Sequence, residues 1–192
     1  GWIQGIDLAT ELPLGGGIRT LELYPVERNR NQYYYFQNPN NAGERFWFWY
    51  QGGDPANAFQ NFSSVGGKGL HIGHDDRQQN PFALPPQQRQ NNHFTWQIVQ
   101  ADGLFEMEDG VNDGEPADVF PGTTSNVVFS ADTTPASRWW DLGDTGLRIV
   151  DIRQPADGIG PVQVDFEYFD VSLPWMWPSG GADTDGDGIP DV

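Results

Sequence analysis

Glycine and proline are scattered along the whole chain, 24 and 15 residues respectively, and they leave few windows in which apolar residues recur at helical spacing for three turns. Between them lie short aromatic or branched runs, the composition that suits a pleated, half-buried strand. "IRTLELYPV" (Ile18 to Val26), "QYYYFQ" (Gln32 to Gln37) and "RFWFWYQ" (Arg45 to Gln51) are three of them. "GLHIGH", "FTWQIVQA", "NVVFSA", "GLRIVDI" and "VQVDFEYFDVSL" read the same way, with alternation clearest in the last. Eight or more short strands with turn residues between them predict an all-β chain, a β-sandwich or jelly-roll-like body.

Two stretches interrupt the strand pattern. "DDRQQNPFALPPQQRQNNH" (Asp75 to His93) is polar and proline-containing and reads as a long loop, and a second long loop runs from Asp102 to about Thr124. After Leu173, "PWMWPSGGA" breaks the pattern again. Residues 1–173 therefore read as a β-rich domain, and residues 174–192 as a linker with an Asp-rich tail.

Charge narrows the function classes. With 27 acidic residues against 10 basic ones the formal charge is −17, and Lys68 is the one lysine. Nucleic acid is excluded as an expected partner, because phosphate binding needs a basic face. So many carboxylates repel one another in a compact state unless cations neutralise part of the charge, and calcium is the obvious candidate. Cysteine is absent, so no disulfide or thiol chemistry is available. No apolar run is long enough for a membrane helix, and Gly1 does not open a signal-like segment; an exported form would have lost its leader from a longer precursor.

The acids fall into two groups. "DTDGDGIPDV" places Asp183, Asp185, Asp187 and Asp191 at positions one, three, five and nine of a calcium loop, with Gly188 at the sharp turn. The sequence given stops at Val192, before the bidentate acid of position twelve, so that ligand is expected from elsewhere in the fold, another chain, water or further residues. The second group is "DGLFEMEDGVNDGEPAD", which holds Asp102, Glu106, Glu108, Asp109, Asn112, Asp113, Glu115 and Asp118. Hard oxygen donors this dense on a glycine-rich loop can fold around calcium, although a solvated acidic loop has the same composition. Asp102, Glu108, Asp109, Asn112, Asp113 and Asp118 are put forward as its candidate ligands.

Other chemistry is weakly represented. His71 and His74 lie three apart in a strand-like run, so they face opposite sides and suit a structural or hydrogen-bonding role better than zinc. Trp47, Trp49, Tyr50, Trp139, Trp140, Trp175 and Trp177 could form a sugar-binding platform, but aromatics this dense more often fill a core. Neither a helical His-Glu-x-x-His nor a Gly-x-Ser-x-Gly nucleophile motif occurs.

The order of several motifs resembles the region that follows the catalytic core in immune inhibitor A-like secreted metalloproteases. Gly69, Leu70, Ile72, His74 and Asp76 match a Gly-Leu-Leu-Ile-Trp-His-Val-Asp-like strand; His93, Gln100, Ala101, Asp102 and Gly103 match the following His and Gln-Ala-Asp-Gly; Asp118, Phe120 and Pro121 match the Asp-x-Phe-Pro that ends an acidic loop. "GWI" at the start and "SNVVFSADTTPASRWWDLGDTGLRIVDI" resemble flanking pieces of that family, whereas His71, Gly73 and "YYFQNP" depart from its pattern. The tail resembles thrombospondin type 3 calcium repeats. The resemblance implies a non-catalytic, calcium-binding extracellular β-domain without the protease's zinc-binding half. Its partners would be the rest of a parent protease. Two alternatives are a subunit that self-assembles into a filament or surface layer with calcium at its contacts, and a carbohydrate-binding module.

Overall fold

The computed structural model describes residues 10–12, 17–28, 32–52, 67–76, 96–155 and 160–169. Among these residues, eight strands account for most of the regular structure: β1 (Thr10–Glu11), β2 (Gly17–Leu23), β3 (Tyr34–Gln37), β4 (Glu44–Gln51), β5 (Gly69–Asp76), β6 (Trp96–Ile98), β7 (Leu147–Arg153) and β8 (Val162–Tyr168). One four-residue helical turn, α1 (Glu106–Asp109), lies between β6 and β7. The fold is all-β, as the scattered glycines and prolines predict. No helix among the described residues is long and apolar enough to cross a membrane.

The strands form two sheets, one ordered β1-β3-β4-β5-β6 and the other β2-β8-β7. Every pairing is antiparallel except the short β1–β3 contact. Alternation sets which face is inside. Phe46, Phe48 and Tyr50 on β4, Leu70 and Ile72 on β5, and Val162, Val164 and Phe166 on β8 are all buried in one apolar cluster. Rings from both sheets meet there: Phe48 sits edge-on to Phe166 at 5.2 Å, and Phe36 to Tyr168 at 5.6 Å. Each such side chain contributes about 1.5–3 kcal/mol of burial, so this seam between the sheets is the main source of stability.

A bulge in β7 solves a local patterning problem. Ile149 and Ile152 are three apart and would face opposite sides of a regular strand. The register shifts between Ile149 and Asp151, so Val150 is the extra residue and both isoleucines are buried.

Several sequence-level expectations change in detail. "NVVFSA" does not form a strand; it is reduced to isolated bridges, Phe129 with Ile149 and Ser130 with Ala136. Asn126 Oδ1 accepts the Val128 amide and Thr133 Oγ1 accepts the Ser130 amide, so side chains take donors that a ladder would use. Of the described part of "FTWQIVQA", residues 96–101, the strand β6 takes Trp96–Ile98, and Asp75 and Asp76 end β5 instead of opening a loop. The proposed boundary at Leu173 and the tail 174–192 lie outside the described residues.

Candidate metal centre

The acidic loop begins where β6 leaves the sheet. The Val99 amide still donates to Ile72 O at 2.8 Å, and the Ala101 amide donates to Asp118 O at 3.0 Å. The far end is fixed by reciprocal backbone hydrogen bonds between Leu70 and Phe120, of 2.8 and 3.0 Å. The loop thus leaves the sandwich and returns to it beside β5, with both ends clamped.

Between the clamps, side chains and glycines shape the chain. Asp102 Oδ1 accepts the Leu104 amide at 2.9 Å, which tightens the first bend. α1 follows, and Gly110 closes it in the left-handed conformation at φ 70°. Asn112 Oδ1 then accepts the Gly114 amide, and its Nδ2 donates to Glu106 Oε2 at 3.1 Å. The return is tightest at Gly122, at φ +49°, where a Cβ would stand 2.2 Å from Pro116 O and 2.3 Å from Val119 O. Only glycine fits that position.

This folding brings Asp102, Glu106 and Glu115 together, with one carboxylate oxygen of each within 4.8 Å of the others. Asp118 stands beside them. Its Oδ2 accepts the Glu115 amide, while its Oδ1 is buried without a hydrogen-bond partner. The side chain belongs to a residue that is only 1% exposed. An ionised oxygen left unpaired at that depth is costly unless a cation or proton faces it.

Electrostatics point the same way. Glu106 foremost, with burial, Asp118 and Asp102, raises the Glu115 pKa above the usual carboxylate range. Burial foremost, with Asp102 and Glu106, raises that of Asp118 despite the bond from the Glu115 amide. Glu108 is also pushed up, chiefly by burial, although Gln100 Nε2 donates to its Oε2. Among the described residues no arginine or lysine pairs with these acids; Arg138, Arg148 and Arg153 pair with Asp132, Glu167, Asp151 and Asp165. The cluster is a concentration of negative charge without a counter-charge among the described residues.

Of the ligands read from the sequence, Asp102 and Asp118 lie at this cluster. Asn112 reaches it only through Glu106, and Glu108 turns to Gln100. Asp109 and Asp113 are exposed. Glu106 and Glu115, members of the acidic run but outside the candidate ligand list, complete the triad. Nothing in their spacing singles them out, because their convergence depends on the Gly110 and Gly122 turns. Asp183, Asp185, Asp187 and Asp191 lie outside the described residues.

His71 and His74, the histidines among the described residues, lie apart from this centre. His71 and His74 sit on opposite faces of β5, as the spacing predicts: His71 Nδ1 is 3.1 Å from Gly69 O, and His74 Nε2 is 2.9 Å from Glu44 Oε1. His74 is stacked between Phe46 and Trp140, with ring centres 4.1 and 4.5 Å away. Tyr50, Trp47 and Trp139 are buried, Trp49 and Trp140 are half-buried, and Trp96 is 49% exposed. Trp139 and Trp140 therefore pack in the fold and do not offer an open sugar platform. Compared with family models, curated proteins and solved structures, the chain gives no match.

Proposed function

We propose that this chain is a calcium-binding, non-catalytic β-domain, in which the ion ties the acidic loop of residues 102–118 to the sandwich. The observation that carries the reading is the buried, unpartnered Asp118 Oδ1 next to the convergent Asp102, Glu106 and Glu115. The donors are all carboxylate oxygens, which suit a hard cation, whereas zinc favours nitrogen and sulfur. A loop of this kind tolerates the irregular six- to eight-fold coordination of calcium better than the strict octahedron of magnesium. Water and backbone carbonyls would complete the shell.

The wider setting, an extracellular domain of a secreted protein related to immune inhibitor A-like metalloproteases, rests on the motif order from Gly69 to Pro121. A calcium-stabilised domain fits that setting, because its site would stay filled outside a cell. Isothermal calorimetry on the chelator-treated protein tests the reading: saturable calcium uptake that Glu106→Gln weakens at least tenfold is expected, and magnesium should bind far more weakly. Loss of no affinity in Glu106→Gln would remove this loop as the site. Zinc-dependent proteolysis by the chain alone would overturn its non-catalytic part.

A further inference from the structure

Among the described residues the two sheets have four edge strands, β1 and β6 in one and β2 and β7 in the other. An edge offers a row of backbone donors and acceptors to any strand that approaches. Three of the four are closed to one. β1 and β6 have only two and three residues. β7 is bulged, and Ile149 exchanges both backbone hydrogen bonds with Phe129, at 2.7 and 3.0 Å. Its Leu147 amide donates to Thr145 Oγ1 at 3.0 Å, and Leu147 O accepts Ser137 Oγ at 2.7 Å. β2 has none of these devices. Its residues, GIRTLEL, hold one unbroken register against β8 and include neither proline nor lysine. Gly17, Ile18, Arg19, Thr20 and Glu22 are exposed, Ile18 by 60%.

The ladder fixes which backbone groups of β2 face outward. The Phe169 amide donates to Gly146 O at 2.9 Å, one rung beyond the Tyr168–Leu147 pair. Phe169 and Glu167 therefore turn their backbone groups to β7, while Phe166 and Val164 turn theirs to β2. Phe166 and Val164 stand opposite Arg19 and Leu21. The N–H and C=O groups of Ile18, Thr20 and Glu22 are left pointing to the open side. Tyr24 is next in that series, and its amide is taken by Gln32 Oε1 at 3.2 Å, which closes the row at one end. No described residue bonds the backbone groups of Ile18, Thr20 and Glu22 on that side.

We propose that β2 pairs antiparallel with β2 of a second copy about a two-fold axis at Thr20, joining two three-stranded sheets into one of six strands. The strand itself selects that register. An axis at Thr20 sets Ile18 opposite the partner's Glu22 and Thr20 opposite the partner's Thr20. All three outward residues then meet outward residues, for about six hydrogen bonds, two per pair. An axis at Leu21 would set Ile18 against the partner's Tyr24, whose amide is occupied. The side chains agree with the first choice. A Thr–Thr pair is favourable, and the two Glu22 carboxylates stand four residues apart along the strands, about 14 Å. Arg19 balances Glu22 on each strand, so the charge of −17 is not concentrated at this contact. The contact is isologous and closes at two copies. One strand edge buries less than the ~800 Å² per partner of a standard interface, so the dimer is weak, half-formed on the order of 0.1 mM. The calcium reading has no part in it.

Sedimentation velocity and amide hydrogen exchange of the 15N-labelled full chain, from about 10 µM to about 1 mM in ~0.15 M salt, test the proposal. One copy should give way to two across that range. Exchange at Ile18, Thr20 and Glu22 should slow about fourfold, the fall in free monomer at that affinity, while Arg19 and Leu21, bonded to β8, change little. Thr20→Lys sets like charges directly opposite each other and should keep the chain monomeric. Because the chain has no cysteine, Thr20→Cys places a single thiol at the axis, where Cα atoms about 5.5 Å apart permit a disulfide. That variant should cross-link under mild oxidation, and Ile18→Cys, about 14 Å from its mate along the strands, should not. A chain that stays monomeric at about 1 mM overturns the proposal and leaves the edge to a strand of another protein. A dimer whose three outward amides do not slow, or that Thr20→Lys leaves intact, places the contact elsewhere and overturns it too. Slow exchange at those amides already at about 10 µM also overturns it, since another part of the same chain would then cover the edge.

Discussion

Asp118→Asn separates a calcium site from a solvated acidic loop, because it should change sign between the metal-free and the calcium-bound protein. Without metal, the Asp118 carboxylate is buried with Oδ1 unpaired, and burial, then the charges of Asp102 and Glu106, hold its pKa above the ordinary value. A carboxyl raised in this way contributes stability below its unfolded pKa and loses it as pH rises through the folded one. Above the ordinary aspartate range the carboxyl therefore opposes folding. Asparagine keeps an oxygen for the Glu115 amide and removes the charge, a gain of about 1 kcal/mol, or roughly 2–4 °C in Tm for a chain of this size. With calcium at about 100 times Kd, wild type gains about 2.7 kcal/mol, or roughly 5–10 °C. The variant lacks a charged ligand and should forfeit most of that gain. Differential scanning calorimetry of both proteins, in chelator and in calcium, should therefore show the order of Tm values reversing at pH 7. In chelator the advantage of the variant should vanish as pH falls below the usual aspartate range, where wild type is protonated in both states. A variant less stable than wild type in chelator at pH 7 would refute the reasoning, since Oδ1 would then be making a contact that matters. Equal calcium shifts in the two proteins would place the ion elsewhere.

Four further outcomes follow from the packing. Glu44 accepts hydrogen bonds from Asn38 Nδ2 and the Trp140 amide and is paired with His74 Nε2; Glu44→Gln should cost about 3 kcal/mol in urea unfolding. Burial pushes the Glu44 pKa up, but its hydrogen bonds from His74, Trp140 and Asn38 outweigh that and leave it lowered, so its stability is present above the unfolded pKa and the gap to the variant should close as pH falls below about 4. Gly122→Ala places a Cβ against two carbonyl oxygens at positive φ; it should lower stability by about 1–3 kcal/mol and weaken calcium binding, which calorimetry would read. Gly73→Ala would bring a Cβ to 2.6 Å from Trp96, lifting that ring off the sheet and changing tryptophan fluorescence with little effect on calcium uptake. Phe48→Ala empties the centre of the sheet-to-sheet seam and should cost about 3–5 kcal/mol by chemical denaturation.

The strands were legible because period-two alternation survives inside the aromatic runs. Phe46, Phe48 and Tyr50 face the core while Trp47 and Trp49 face away, and the same rule separates His71 from His74. Two things were not legible. Asn126 and Thr133 draw backbone hydrogen bonds away from "NVVFSA", a competition that depends on where Thr133 lands in space. The choice of Glu106 and Glu115 over Asp109 and Asp113 depends on two glycine turns, since all four are carboxylates of the same acidic run. The composition of the loop was readable, and its convergence was not.

The placement of the acids follows from what the sandwich cannot reach. Between Ala101 and Asp118 the chain buries almost nothing: α1 contains no buried residue, and Leu104, Phe105 and Val111 are exposed. Hydrophobic burial therefore cannot hold the loop, and a four-residue helix is too short to be stable alone. Backbone clamps fix its two ends, but the crossing from Asp102 to Glu115 is spanned by like charges, with Asn112 on Glu106 as a neutral link. A divalent ion at that crossing, as proposed, would turn three mutually repelling groups into a cross-link and supply the partner that Asp118 Oδ1 lacks. The same acids would be a net cost to a loop held by apolar contacts. Their concentration where the core gives out, on a chain already carrying a charge of −17, is what the proposed cation would have to offset, and binding it there would complete the domain.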